Sequence, residues 1–403
     1  MSQQSDELLK KLDVLAEKIN VLMVTGDFPP RISGVGDYSA HITKSLADLG
    51  VSATVITTGM EFSNNGRPIG SMDVRYVVSR WAMWEVNKIL GLIEKSDSRT
   101  VVNIQYYCPF TYGRRLLINF LPLIIRLTRP RARVVVTMHG FWEQSILFRL
   151  RAVPMLRLSH GVIYVDRVNR DLVEKYSGFS CDRAKYIPIA SNILPIRCNP
   201  ELRKMWRQEL GCSEQDNVVA FFGGIGNNKG LEYLVEAVEN IRRHRELPVF
   251  LLVLGSFRPN HLTDGYYLKI SHLIERLGIS YWIRIIESPK ASEVSKYLHS
   301  ADLAVFPFIN GVGENSGSML AALAHGLPTI VTEGPANTAN FSETFGVSLV
   351  PAMDSEGLAE CMADTLSSPE KMELMKQKAM SVSKVLNWKC ITSETLDFYK
   401  SLL

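Results

Sequence analysis

The chain has 403 residues, too long for one ordinary domain; at roughly 150 residues per domain it should hold two or three. Hydrophobic residues at 46% and charged ones at 21% suit a folded protein with a sizeable core in each domain, and exclude a disordered chain. A net charge of +4, with no aromatic-basic motif, speaks against a nucleic-acid partner.

The N-terminal stretch 1–18 is polar, with Leu8, Leu12 and Leu15 at helical spacing, and is read as a separate helix without the apolar core of a signal peptide. From residue 19 short β-branched runs alternate with amphipathic stretches, the pattern of a parallel α/β fold. Strands are expected at Asn20–Thr25, Ser52–Thr57, Val74–Val78, Val101–Gln105, Arg133–Met138 and Val162–Val165, with helices such as Tyr38–Leu49 and Asp171–Tyr176. Pro188 and Pro195, around small polar residues, suit a hinge near residue 192. The alternation restarts with strands at Val218–Phe222, Val249–Leu254, Trp282–Ile286, Leu303–Phe306 and Thr329–Thr332. Helices follow at Gly230–Arg243, Tyr267–Leu277, Ser292–His299, Ser316–His325 and Glu356–Leu366. The reading is an N-terminal Rossmann-like domain over 19–192, a C-terminal one over 193–385 and a terminal helix over 386–403, with a cleft between the domains.

The apolar run Leu116–Ile125 falls well short of the ~20 residues that span a bilayer. Between Ser98 and Val165 the only acid is Glu143, against ten arginines, among them Arg114, Arg115, Arg126, Arg129, Arg131, Arg133, Arg149 and Arg151. Mixed with apolar residues, this stretch suits a peripheral contact with an anionic membrane, or a core helix with a solvated arginine rim. The six cysteines form no C-x-x-C pair, so a zinc site or disulfide framework is not expected, and scattered thiols suit the cytoplasm.

Ligands of parallel sheets bind in the loops at the C-terminal strand ends. The loop Gly26–Asp37 holds Gly34 and Gly36 ahead of a helix, where free N–H groups favour anions. It is not the dinucleotide fingerprint, since Ser39 stands where the third glycine belongs. His139 ends the Arg133–Met138 strand and is read as a donor to a sugar hydroxyl or leaving phosphate. In the second half, Gly223, Gly224 and Lys229 combine open backbone with a mobile cation, as a diphosphate requires, although the loop is no Walker A. Glu314, Ser316, Gly317 and Ser318 lie where a polar loop enters a helix. No carboxylate cluster is arranged to hold a metal, and no cofactor is expected.

In this order these pieces resemble the family-four retaining glycosyltransferases of the GT-B fold, from about residue 19 to the C-terminus. Pro29-Pro30 with Gly34-Val35-Gly36, then His139, then Lys229-Gly230, each stand where that family has its counterpart. The most specific match is Ala322–Pro328, which looks like the family's Ala-x-Ala-x-Gly-x-Pro. The resemblance implies transfer of a sugar from a nucleotide diphosphate sugar, with retention, to a glycan or lipid-linked acceptor. His139 and Lys229 would be catalytic. Gly34, Gly36, Gly223, Gly224, Lys229, Glu314, Ser316, Gly317 and Ser318 would bind the donor. It also implies that the terminal helix crosses back to the first domain. The chain departs from the family at Gly224, where an Arg is usual, and at Ala321, where the second of two Glu is usual. These departures leave a catalytically silent GT-B scaffold as the alternative.

Overall fold

The structure, a computed structural model, describes residues 19–31, 33–59, 72–93, 99–107, 112–113, 115–245, 247–255 and 265–403. The expected helix over 1–18 and Arg114 lie outside the described residues. Two compact units appear: one takes the chain up to Ile189 together with Trp388–Leu403, the other takes Ala190–Asn387.

The first unit is built on β1 (Asn20–Val24), β2 (Ser52–Thr58), β3 (Asp73–Val78), β4 (Thr100–Tyr106), β5 (Arg133–Met138), β6 (Gly161–Tyr164) and β7 (Ala184–Tyr186). Every pairing in the order β3-β2-β1-β4-β5-β6-β7 is parallel. Val21–Val24 and Val134–Met138 have almost no exposed surface, as strands covered by helices on both faces require. The second unit repeats the plan with β8 (Asn217–Phe222), β9 (Val249–Gly255), β10 (Ile283–Glu287), β11 (Leu303–Phe306), β12 (Thr329–Thr332) and β13 (Ser348–Val350). Its order is β10-β9-β8-β11-β12-β13, again parallel.

The three-residue strands β7 and β13 are too short to show a period, and sequence reading passes over them. The basic stretch forms the helices Leu117–Thr128 and Ile146–Leu158, as its core-helix reading expects, and each keeps its helix with a proline inside, Pro122 and Pro154. Among the described residues no helix is long and apolar enough to cross a membrane.

The terminal helix, Trp388–Leu402, packs in the first unit. Gly161 makes room for it: a Cβ there would lie 2.7 Å from Leu402 and 2.8 Å from Phe398. Arg133 donates to the Leu402 carbonyl at 2.8 Å, and Trp388 stacks on His41 with ring centres 4.9 Å apart.

The arginines of the basic stretch are mostly not a solvated rim. Arg126 donates to the Ser159 carbonyl, Arg129 to Leu90 and Ile93, Arg149 to Phe141 and Trp142, and Arg151 to Asn119 and Arg115. A planar guanidinium with five donors can satisfy several helix-end and loop carbonyls at once. These side chains therefore tie the helices of the first unit together.

Candidate functional site

In the second unit, two strand-end loops are locked together by close backbone approaches. β8 runs into Gly223, whose φ of +148° disfavours any side chain, and a Cβ there would sit 2.8 Å from Ser318 Oγ. Gly230, at φ +63°, lies so close to the Pro307 carbonyl that a Cβ would fall 2.0 Å from its oxygen. Ile309 N donates to Asn228 O at 3.1 Å, closing the contact between the turn 223–230 and the loop after β11. The helix Gly317–Ala324 starts from this junction, with Ser316 as its cap accepting from Met319 N at 3.4 Å. Lys229 Nζ stands 3.7 Å from the centre of the Phe308 ring, which fixes the cation over an aromatic face.

The structure thus brings Gly223, Lys229 and Ser318 together, with Ser316 and Gly317 at the same helix start. A β-carbon at Gly224 would meet nothing within 4 Å, so the missing Arg leaves open space and not a repacked turn. Ala321 is fully buried, so the position of the second Glu has become core. Glu314, read as a donor contact, sits on the loop ahead of this helix start. It is 3% exposed, and its Oε1 accepts from Thr338 Oγ1 at 2.7 Å, which makes it a brace between loops. Asn337 supports the same loop, donating to the Val312 carbonyl at 2.8 Å while its own Oδ1 accepts from Gly334 N at 2.6 Å. Sequence reading missed Thr338 and Asn337, which lie in an irregular segment with no motif. An open pocket of about 510 Å³ lies beside this brace, lined by Glu333, Gly334, Asn337, Leu349, Pro351 and Ala352.

In the first unit, Ser33 caps the helix Gly34–Asp48 and accepts from Gly36 N at 3.4 Å. That N–H is engaged by the cap, and a Cβ on Gly36 would lie 3.2 Å from the Asp27 carbonyl oxygen, so a glycine here lets the loop pack closely against the helix start. Gly34 has open space around it. Burial raises the Asp37 carboxyl above its ordinary value.

His139, read as a hydrogen-bond donor to the ligand, lies deep at the end of β5. It is 9% exposed, its Nε2 lies 2.7 Å from Gln105 Oε1, and the Tyr38 ring meets it edge-on at 4.7 Å. Burial pushes its pKa down to about 3, so the ring is neutral near pH 7. A neutral ring has one N–H and one lone pair, and one of its two nitrogens is engaged by Gln105. Among the described residues no three His, Cys, Asp or Glu side chains gather as a metal site requires.

Residues 203–382 match the family described as glycosyl transferases group 1. The chain carries a group 1 glycosyltransferase domain. That domain holds the Gly223–Lys229 turn and the Ser316–Ser318 helix start. Among named relatives, the D-inositol 3-phosphate glycosyltransferase of Corynebacterium glutamicum (strain R) is 26% identical over 208 residues, 49% of this chain and 46% of that relative. The alignment thus spans about half of the relative's length. The sucrose-phosphate synthase structure from Thermosynechococcus elongatus has a TM-score of 0.74 at 15% identity, covering 95% of this chain and 99% of that one. Anabaena HepE, solved in complex with UDP and glucose, has a TM-score of 0.71 at 15% identity over 95% of this chain and all of its own. The two parallel α/β units with a returning C-terminal helix are the GT-B fold.

Proposed function

We propose that this chain transfers a sugar from a nucleotide diphosphate sugar to an acceptor, with the diphosphate held in the second unit. The observation that carries this reading is the junction of Gly223, Lys229 and the Ser316–Ser318 helix start. Backbone N–H groups and a lysine cation there suit the charge that grows on a departing diphosphate, and such preorganised donors stabilise a transition state without further reorganisation. The UDP bound to HepE supports a nucleotide ligand, and the resemblance to retaining enzymes supports retention. No metal enters this reading. A thermal-shift screen of UDP-, ADP- and GDP-sugars tests it, since ligand at 100 times its Kd adds about 2.7 kcal/mol. Stabilisation by one nucleotide class, followed by its turnover with the anomeric configuration kept, is the expected result. No stabilisation by any of them would leave the silent scaffold as the better reading, which the open Gly224 and buried Ala321 also favour.

The acceptor is proposed to be a glycan or lipid-linked molecule reached from the cytoplasmic face of a membrane. Leu116, Ile146, Leu147 and Leu150 are 49–75% exposed in a stretch almost free of acids, which supports peripheral contact with anionic lipid. Co-sedimentation with anionic vesicles at low salt, lost on Leu147→Glu with Leu150→Glu, is expected; no sedimentation at low salt would point to a soluble acceptor.

A further inference from the structure

At the N-terminal strand ends of the first sheet, three arginines and a histidine converge. Arg126 lies in the last turn of the helix Leu117–Thr128, Arg133 opens β5, and His160 and Arg183 stand directly before β6 and β7. Arg126 Nη2 and Arg183 Nη2 both donate to the Ser159 carbonyl at 3.1 Å, and Arg183 Nε donates to the His160 carbonyl at 2.9 Å. Arg133 Nε is held by the Leu402 carbonyl, and His160 Nδ1 accepts from Val134 N at 2.9 Å.

Backbone carbonyls satisfy part of these guanidiniums but bring no counter-charge. Among the described residues no carboxylate lies within ion-pair distance of Arg126, Arg133 or Arg183. Asp182, next to Arg183 in sequence, accepts from Ser180 Oγ at 2.9 Å, and Glu394 of the terminal helix pairs with Lys185 at 3.5 Å. The repulsion is visible in the titration of the cluster. Burial, then the charges of Arg183 and Arg133, lower the pKa of Arg126; burial, then all three guanidiniums, push His160 down to about 4. Donors are also left over. Arg126 Nε is buried with no hydrogen-bond partner. A backbone N–H can only donate, so Nδ1 of the neutral His160 ring holds the lone pair and Nε2 carries the proton. That Nε2–H has no partner among the described residues. Unmade buried donors and clustered like charges both cost stability. An anion with several oxygens relieves both at once, and the planar forks of arginine match the oxygens of a phosphate.

We infer that Arg126, Arg133, His160 and Arg183 form a site for a phosphate group, in the first unit and separate from the diphosphate junction of the second. Its ligand is a soluble phosphate or phosphate ester and not a lipid head group. The exposed Leu147 and Leu150 lie in the first turns of the helix Ile146–Leu158, whereas Ser159 follows its last turn, roughly 18 Å further along. The side chains fit to enter a bilayer and the phosphate site thus stand at opposite ends of one helix. A ligand here also steadies the returning helix, because Arg133 holds its Leu402 carbonyl.

The test follows His160 by NMR in the full, histidine-labelled chain, with chloride exchanged for inorganic phosphate at constant ionic strength and the ring assigned through His160→Gln. Phosphate should move the His160 ring signals saturably at neutral pH, with a Kd of about 1 mM or below. It should also raise the ring's pKa, because a bound anion favours the imidazolium. Arg183→Lys, which keeps the charge and loses the fork, should weaken phosphate about tenfold, the size of one charge-assisted hydrogen bond, and Arg126→Gln at least as much. Lys229→Ala should leave the response unchanged. His160 signals indifferent to the exchange in the wild type would overturn the inference without any variant. So would a response that survives in folded Arg183→Lys and Arg126→Gln, or one that disappears in Lys229→Ala, which would put the phosphate at the diphosphate junction. Sedimentation with phosphatidic acid vesicles should be equal for wild type and Arg183→Lys; its loss in that variant would overturn the soluble ligand in favour of a head group.

Discussion

The two units use the same sheet plan to opposite electrostatic ends. In the second, the strand-end loops gather a lysine, exposed backbone and a helix start, and glycines let them approach within bonding distance of one another. In the first, the corresponding strand end is lined by uncharged groups sunk below the surface: His139, Gln105, Asn103 and Tyr38. A parallel sheet offers every ligand the same address, at the C-terminal strand ends. What distinguishes two such addresses is whether the polar groups are left charged and accessible or buried and neutral. A diphosphate is suited by the first; an uncharged polar group is suited by the second, because neutral side chains orient it without attracting anions.

The sharpest way to break this comparison is to remove the charge. Lys229→Ala should lower kcat/KM for the nucleotide sugar by about 10²-fold or more, the usual scale for an oriented transition-state donor. The melting temperature should change little, because Lys229 is only half-buried, over the Phe308 face, and fills no core. Donor kinetics unchanged by Lys229→Ala would remove the second unit's claim to the charged role.

Gly230→Ala attacks the geometry and leaves the charge. Its φ of +63° and a 2.0 Å approach to the Pro307 oxygen force the loop to move before a methyl can fit. The expected loss is about 2 kcal/mol or more, from left-handed strain plus displaced backbone. Urea denaturation would measure it. Full stability with unimpaired donor binding would mean that the two loops need not touch.

His139 tests the neutral side through pH. Its folded pKa of about 3 lies below the ordinary value near 6.5, so the unfolded chain binds the proton more readily. The neutral form's contribution is therefore complete above pH ~6.5 and shrinks as pH falls towards 3, by about 1.4 kcal/mol per pH unit. His160 and His325, both held near 4 by burial, lose stability in the same direction. His139→Gln should make acid unfolding less steep between pH 6 and 5, by roughly that single-group slope. Near pH 7, His139→Ala should cost about 1–3 kcal/mol, because it strands the Gln105 oxygen in a dry site. An acid slope identical in wild type and His139→Gln would show that the ring is already charged and that the two sites are not electrostatic opposites.

Much of this architecture can be read from residues alone. Runs such as Val249–Leu254 announce buried parallel strands, and Gly223, Lys229 and Ser318 stand out as glycine, cation and small polar residue at strand ends. What cannot be read is which atoms are already taken. Gly36 looks like an anion loop because nothing in its sequence says that Ser33 uses its N–H. Arg149 and Arg151 look like a charged surface because carbonyl partners leave no residue signature. Gln105 is hidden for a different reason: in sequence it is one of two amides in a largely apolar strand, and its partners include Met23, 82 positions earlier.

Glu314 gives the smallest expected effect and the finest distinction. A carboxylate beside a glycine-rich loop could contact a ligand hydroxyl or hold the loop in shape. In the structure it is 3% exposed and receives the Thr338 hydroxyl at 2.7 Å. Glu314→Gln keeps an oxygen to accept that bond and changes the volume little, so a brace should survive it. The expected cost is under about 1 kcal/mol of stability, the difference between a charge-assisted and a neutral hydrogen bond, with donor kcat/KM within about threefold of wild type. Thr338→Val, which removes the donor and nothing else, should cost a similar amount, and the double variant should cost less than the sum, because both changes delete the same bond. A ligand contact behaves otherwise: Glu314→Gln would then depress kcat/KM far more than stability, and Thr338→Val would leave turnover almost untouched. Measuring both variants for melting and for donor turnover separates the two, and a kinetic loss confined to Glu314 would move a carboxylate back among the groups that meet the nucleotide sugar.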